Sequence, residues 1–221
     1  MTNIEIIPSI TVRTQKEVEE KIRAVENYVG WMHLDAADGD FAPNKTWGDP
    51  VALHDIDPGV FIEAHLMVAE PENVIDAWIT GNSEEKDSGV ARIYFHYEAT
   101  SQHAEIIKKI KDAGKEAGIA ILPETPITVL DEFLNDVDAV LIFAGSLGYY
   151  GGSFNAEASL VKISTLRQEY PKLTIEVDGG MNPETAKQAV EAGANAIVSG
   201  SYIWNSNDPK KAIEELQESV S

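Results

Sequence analysis

The segments KDAGKEAGIAI (residues 111–121) and VEAGANAIVSG (residues 190–200) are decisive for the fold, because they repeat one design. Each passes from the end of an amphipathic pattern through a glycine, Gly114 or Gly193, into a short apolar stretch. Glycine commonly ends a helix, and a nearly continuous apolar stretch is typical of a strand buried on both faces. Recurrence of this unit predicts parallel strands joined by right-handed helical crossovers.

The same alternation extends over the rest of the chain and predicts eight strands. They are Ile4–Ile7, Trp31–Asp35, Phe61–His65, Arg92–Phe95, Gly118–Leu122, Ala139–Phe143, Leu173–Val177 and Asn195–Val198. Helices are predicted between them, among them residues 126–134 (PITVLDEFL), and the helix after the second strand is expected to be short. We therefore expect an α/β fold with one (β/α)8 TIM-barrel domain over residues 1–221. An open doubly wound sheet is the alternative, but no GxGxxG follows the first strand.

Composition and charge exclude several functional classes. The 221 residues include 17 basic and 37 acidic side chains, a formal net charge of −20, and no cysteine. Thiolate nucleophiles, thiolate metal sites and disulfides are thereby excluded. So acidic a chain repels nucleic acid and anionic membranes, and we expect neither as a partner. The N-terminus, MTNIEIIPSI, lacks a basic flank and a long apolar run, so the cytoplasm is the expected location.

Histidine and aspartate side chains lie at the carboxyl ends of three of the predicted strands. His33 and Asp35 are two residues apart on the second strand and share a face, while His65 ends the third strand and Asp178 the seventh. The active sites of (β/α)8 barrels lie at the carboxyl ends of the strands. A single histidine there is usually a core or surface residue, but the four together predict one divalent metal site. Zn²⁺ is the first choice, and Fe²⁺ or Mn²⁺ would also fit.

Two of these side chains also suit proton transfer. Asp35 and Asp178 come from strands on different sides of an eight-stranded barrel. Two carboxylates on opposite faces of a carbon beside a carbonyl can act as base and acid, and a cation stabilises the enediolate between the two steps. The alternative is that both are ligands only and that a water molecule is the acid.

Glycines at the later strand ends predict a phosphate subsite. Gly179 and Gly180 follow strand seven, Gly200 and Ser201 follow strand eight, and the pair 151–152 follows strand six. Glycine allows backbone amides to approach a phosphate, and barrels often hold phosphate after strands seven and eight. Gly151 and Gly152 are predicted to close over the substrate, which we expect to be a small sugar phosphate.

With these motifs the chain resembles the ribulose-phosphate 3-epimerase family over nearly its whole length. The matching segments are PSI (8–10), HLDAADGDFAPN (33–44), HLMV (65–68), FHYEA (95–99), PETP (123–126), EVDGGMNPET (176–185) and GS (200–201). The resemblance implies a ribulose-phosphate-binding barrel that interconverts ribulose 5-phosphate and xylulose 5-phosphate. It implies metal on His33, Asp35, His65 and Asp178, with Asp35 and Asp178 as the acid/base pair. It also implies phosphate held by Gly180, Gly200 and Ser201, with Ser9, His65 and His96 near the substrate. A homo-oligomer is compatible with the resemblance.

The sequence departs from the family pattern around the expected pocket. Ala37 and Phe143 stand where methionine is usual, Leu147 where proline is usual, and Tyr150 where glycine is usual. An acidic segment at Glu84–Asp87 looks like an addition. These changes leave the predicted chemistry in place but alter the space around the sugar.

Three alternatives to pentulose-phosphate epimerisation follow. One is the same chemistry on a ketohexose 6-phosphate, and another is a metal- or sugar-phosphate-binding protein without turnover. The third is a related barrel such as orotidine monophosphate decarboxylase or hexulose-phosphate synthase. A D-x-K-x-x-D run would indicate that third class, whereas the corresponding stretch here is Asp35-Ala36-Ala37-Asp38, without a lysine.

Overall fold

A computed structural model of the chain describes residues 4–81, 88–147 and 152–221. In these ranges the strands are β1 Glu5–Ile10, β2 Trp31–Ala37, β3 Phe61–Met67, β4 Val90–His96, β5 Glu116–Ile121, β6 Ala139–Phe143, β7 Thr174–Asp178 and β8 Ala196–Ser199. The α-helices are α1 Gln15–Val25, α2 Pro50–His54, α3 Ile75–Thr80, α4 His103–Asp112, α5 Ala156–Glu169, α6 Pro183–Ala192, α7 Ser201–Trp204 and α8 Pro209–Ser219. Short 3₁₀ helices cover Pro71–Asn73, Tyr97–Ala99 and Ile127–Leu130.

The eight strands form a closed barrel in sequence order, and each strand is parallel to its neighbours. β1 closes the ring by pairing with β8, with Glu5 opposite Ala196. The predicted (β/α)8 fold is therefore confirmed. Because all strands run the same way, their carboxyl ends meet at one rim, which collects the side chains predicted for the site.

Alternation along each strand divides the core into two parts. One face of the strands packs against the helices in a continuous apolar cluster that includes Leu34, Leu66 and Ile163. The other face fills the barrel interior, where apolar side chains such as Ile7, Ala196 and Val198 form a separate cluster. The β2 residues His33 and Asp35 belong to this inward set, as the two-residue period predicted.

The prediction of a helix over residues 126–134 is wrong. A 3₁₀ helix covers only Ile127–Leu130, and hydrogen-bonded turns follow it. The Phe133 amide bonds to the Leu130 carbonyl in an i to i+3 pattern, and Leu134 bonds to the same carbonyl. Leu130 and Leu134 are nonetheless buried, so their burial does not require a regular α-helix.

Candidate active site

The four predicted metal ligands converge at the carboxyl rim of the barrel. Asp35 on β2 pairs in register with His65 on β3, and His33 lies one inward position below Asp35. Asp178 is the last residue of β7. One ligand atom from each of these four side chains lies within 4.8 Å of the others. The structure thus brings together the set that the strand positions predicted.

His33 presents a free nitrogen to this cluster. Its Nδ1 atom lies 2.7 Å from Glu63 Oε1, so Nδ1 donates to that carboxylate. Nε2 faces Asp35 Oδ1 at 3.4 Å but has no hydrogen-bond partner among the described residues, although it is fully buried. Burial alone would lower the pKa of His33, but interactions with Asp35, Glu176 and Glu63 raise it well above its usual value. Nε2 is therefore placed to hold a proton or a cation.

Both ring nitrogens of His65 contact neighbouring side chains. Nδ1 lies 3.0 Å from Asp35 Oδ1, while Nε2 lies 2.9 Å from His96 Nε2. Burial, despite the hydrogen bond to Asp35, lowers the pKa of His65 to about 4. His65 is therefore a neutral imidazole near pH 7, the form in which histidine binds metals.

The two aspartates differ sharply in acidity. Burial would raise the pKa of Asp35, but interactions with His33 and His65 outweigh it and hold the pKa well below its usual range. Burial, and next the charge of Asp35, raise the pKa of Asp178 to about 8. In the protein without a cation, Asp35 is thus ionised at neutral pH and Asp178 largely protonated.

A divalent cation fits this donor set. Two imidazole nitrogens and two carboxylate oxygens converge, which suits Zn²⁺ and its first-row neighbours. The buried, unpartnered Nε2 of His33 and the raised pKa of Asp178 both indicate a place that lacks positive charge. The Nδ1 hydrogen bond from His33 to Glu63 is the outer-shell contact that orients metal-binding histidines.

A cavity of about 550 Å³ opens above the cluster at the rim. Asp35 and Asp178 both line it. The remaining lining residues in the described part of the chain are Ser9, Thr11, Lys21, Ala37, Ala42, Asn44, Thr46, Met67, Phe143, Gly145, Ser146, Gly152, Gly179, Gly180, Met181, Val198, Gly200, Ser201, Trp204 and Asn205. The volume suits a small ligand.

Glycine is required where the loops after β6, β7 and β8 pack together. Gly180 has a φ of +70°, and a Cβ atom there would lie 2.5 Å from the Phe154 nitrogen. A Cβ on Gly179 would lie 2.3 Å from the Gly145 nitrogen, and one on Gly200 would lie 2.4 Å from Ser9 Oγ. Backbone at these positions consequently lies against the cavity without side chains in between.

Most of the predicted substrate-contact residues line this cavity. Ser9, Gly152, Gly179, Gly180, Gly200 and Ser201 do so, whereas Gly151 lies outside the described residues. His65 and His96 are fully buried beneath the cavity. His96 contacts His65 and lies 3.4 Å, through Nδ1, from Glu98 Oε2. It is therefore placed to orient His65.

Sequence reasoning missed two side chains on the β1 side of the cavity. Thr11 donates from Oγ1 to Asp35 Oδ2 over 2.6 Å and so orients that carboxylate. Its position two residues after Ser9 was the available signal. Lys21, on α1, lines the cavity as well, and no motif marked it.

Two of the four substituted positions line the cavity. Ala37 and Phe143 line it, and Phe143 packs 5.9 Å from His65 between ring centroids. Leu147 packs against a small apolar cluster that contains Ala37 and Met67. Tyr150 and the acidic segment at residues 84–87 lie outside the described residues.

The fold and this cluster define a (β/α)8 barrel with a candidate metal and acid/base centre at its carboxyl rim. The model of the Ribulose-phosphate 3 epimerase family matches residues 5–204. Ribulose-phosphate 3-epimerase of Schizosaccharomyces pombe is 36% identical, with 100% of this chain and 95% of that protein covered. Its namesake in Bacillus subtilis is 33% identical, with 97% and 98% covered. The chain belongs to the ribulose-phosphate 3-epimerase family.

Solved structures agree with the fold. A crystal structure of 3-hexulose-6-phosphate synthase superposes with a TM-score of 0.74, at 16% identity, over 99% of this chain and 100% of that one. Identity this low shows a shared barrel and nothing about the reaction. Among the described residues there is no helix with the length and apolar character that crossing a membrane requires.

Proposed function

We propose that this protein is a ribulose-phosphate 3-epimerase, an isomerase that interconverts D-ribulose 5-phosphate and D-xylulose 5-phosphate. The observation that carries the proposal is the pair Asp35 and Asp178, which face one cavity within a two-histidine, two-aspartate cluster. Membership of the epimerase family supports the same reaction.

The cofactor is one divalent metal ion, held by His33, Asp35, His65 and Asp178. Zn²⁺ is the first candidate because two nitrogen and two oxygen donors suit it, and Fe²⁺ or Mn²⁺ are also compatible. When bound, the ion supplies positive charge beside the oxygens of the enediolate and so favours its formation.

The proton is moved by the two aspartates. One carboxylate removes the proton from C3, beside the C2 carbonyl, and the other carboxylic acid returns a proton to the opposite face. The configuration at C3 is thereby inverted, and the two residues exchange roles in the reverse direction. The position of both carboxyl groups at one cavity supports this assignment, because the base and the acid must reach the same substrate carbon.

Neighbouring side chains hold the two aspartates and the histidines in place. Thr11 donates to Asp35 on the oxygen that His65 does not contact. Glu63 sets the proton on Nδ1 of His33, and His96 contacts Nε2 of His65. These contacts direct the remaining ring nitrogens toward the cluster.

The phosphate of the substrate is assigned to the glycine-rich side of the cavity. Gly180, Gly200 and Ser201 are its main contacts, with Gly152 and Gly179 beside them. The lack of side chains at these glycines, where a Cβ atom would collide with neighbouring atoms, supports the assignment. Ser9 lies next to Gly200. Gly151, outside the described residues, stays a predicted substrate contact. Cytoplasmic location and homo-oligomerisation stay predictions.

The test is solvent deuterium exchange at C3, with epimerisation of ribulose 5-phosphate followed in parallel. Wild-type protein loaded with Zn²⁺ should do both, and Asp35→Asn or Asp178→Asn should reduce both rates by at least about 10²-fold, the lower end for general acid–base catalysis. Asp40→Asn is the matched control, since it makes the same chemical change at an exposed position of the β2–α2 loop.

Full exchange in Asp35→Asn or Asp178→Asn would refute the role of that residue. The ketohexose 6-phosphate counterpart should be assayed beside the pentulose. Faster turnover of the hexulose would reassign the substrate and make Ala37 and Phe143, which line the cavity, the first residues to test. Metal binding without turnover of either sugar would indicate that the protein is a non-catalytic binding protein.

A further inference from the structure

The cavity has to bind a phosphate group in an acidic protein. A phosphate monoester carries about −1.5 to −2 charges at neutral pH, and the chain has a formal net charge of −20. Among the described residues that line the cavity, Asp35 and Asp178 are acidic and Lys21 is the one basic side chain. Lys21 therefore supplies positive charge that is independent of a metal.

Lys21 is held in place by an aromatic ring. Its Nζ atom lies 3.7 Å from the centroid of the Trp204 ring, a cation–π contact. The Trp204 indole nitrogen donates to the backbone carbonyl of Ser9 over 2.6 Å, which fixes the ring at the end of β1. The long, flexible lysine side chain is thus directed to one side of the cavity.

Lys21 has no acidic partner in the part of the chain that the structure describes. In the described residues, no carboxylate oxygen is within 4.0 Å of its Nζ atom. Glu17, one turn earlier on α1, is the acidic group whose charge acts on Lys21. Its carboxylate instead accepts from the Thr14 hydroxyl and the Thr14 amide, at 2.8 and 3.0 Å, in the cap of α1. Burial lowers the pKa of Lys21, and the charge of Glu17 offsets this only in part.

The location of Lys21 matches the phosphate side of the cavity. Trp204 is the last residue of α7, which begins at Ser201 immediately after Gly200. Gly200 in turn contacts Ser9, whose carbonyl accepts from Trp204. Lys21 therefore adjoins the segment to which the proposed function assigns the phosphate.

We propose that Lys21 binds the phosphate group of the substrate, with Trp204 as the residue that positions it. This inference rests on the proposed function for the identity of the substrate. The ammonium lies across Trp204 when no anion is bound, and it forms a charge-assisted hydrogen bond to a phosphate oxygen when one is. Hydrogen bonds to charged groups contribute about 1.5–3 kcal/mol, which corresponds to roughly 10- to 150-fold in affinity.

The test compares Lys21→Met with Lys16→Met in metal-loaded protein. Lys16 is also on α1, but its side chain is 85% exposed and pairs with Glu20 at the surface. Lys21→Met should raise KM for ribulose 5-phosphate and the Kd for inorganic phosphate, measured by calorimetry, by about 10- to 150-fold. The kcat should change less than about threefold, since the contact is present in the ground state and the transition state alike. Lys16→Met should match the wild type in all three quantities.

The two proposals fail in distinguishable ways. If Lys21→Met binds inorganic phosphate and substrate within about twofold of the wild type, Lys21 only packs on Trp204 and this inference is overturned. If the wild-type protein does not epimerise the pentulose, but Lys21→Met still loses phosphate binding and Lys16→Met does not, the phosphate site stands and the proposed reaction fails.

Discussion

Replacing Arg92 by methionine tests a buried charge network inside the barrel. Arg92 Nη1 donates to Glu63 Oε2 at 2.8 Å and approaches Glu176 Oε2 at 3.4 Å. Both glutamates have no exposed surface, and the Tyr94 hydroxyl donates to Glu176 over 2.8 Å. Methionine keeps most of the apolar stem of Arg92 but removes the positive charge between the two carboxylates.

The expected loss is large because the glutamates remain. Removing one partner of a buried ion pair costs about 3–5 kcal/mol, since the other charge is left uncompensated. For a chain of this length each kcal/mol lowers Tm by about 2–4 °C, so the variant should melt roughly 6–20 °C below the wild type. Glu63 also orients His33, so metal affinity should fall by about 10- to 100-fold.

The measurement is urea unfolding and thermal melting, together with metal titration of each variant. Glu116→Gln is the control, because Glu116 also pairs with Arg92, at 2.7 Å, but its side chain is 46% exposed. An exposed pair contributes about 0–1 kcal/mol. If Arg92→Met were destabilised by no more than Glu116→Gln, the glutamates would not depend on Arg92 and the reasoning would be refuted.

Three further perturbations should give equally specific results. Burial raises the pKa of Glu98, but hydrogen bonds, chiefly to His96, lower it to about 2. Its charge therefore stabilises the fold above about pH 4.5, and this stabilisation is lost as pH falls toward 2. Glu98→Gln should lower the free energy of unfolding by about 1–3 kcal/mol at pH 7, as measured by urea denaturation, and this loss should shrink below pH 4.5. A loss that does not change with pH would contradict the charge effect. Gly118→Ala should cost about 1–3 kcal/mol, because its Cβ atom would lie 2.2 Å from the Tyr94 ring, whereas Gly30→Ala, whose Cβ atom would meet nothing closer than 3.9 Å, should be nearly neutral. Equal stability of the two alanine variants would show that Tyr94 can move aside. Finally, a metal chelator should abolish deuterium exchange, and Zn²⁺ at about a thousandfold excess over its Kd should restore it and add about 4 kcal/mol of stability. Unchanged exchange and melting after verified metal removal would exclude the cluster as the metal site.

Local sequence pattern was sufficient to predict the barrel and the convergence of the four candidate metal ligands. Apolar stretches alternating with amphipathic ones predict parallel strands, and eight of them predict closure. The four candidate metal ligands could be predicted from the sequence for two reasons. His33 and Asp35 share a face because side chains on a strand alternate with a period of two, and parallel strands place all their carboxyl ends at one rim. Each of those inferences depends on the order of residues along a strand and not on distances across the barrel.

Contacts across the barrel were decided by the tertiary structure alone. The sequence does not state which inward side chains meet, since that depends on strand register and on the stagger with which the sheet closes. For this reason neither the contact between His96 and His65 nor the network of Glu63, Arg92 and Glu176 is predictable from the sequence. The role of Lys21 could not be predicted for the same reason, because α1 and α7 must come together before its ammonium can reach Trp204. Short-range periodicity thus determined which residues face the site, and closure of the barrel determined which of them touch.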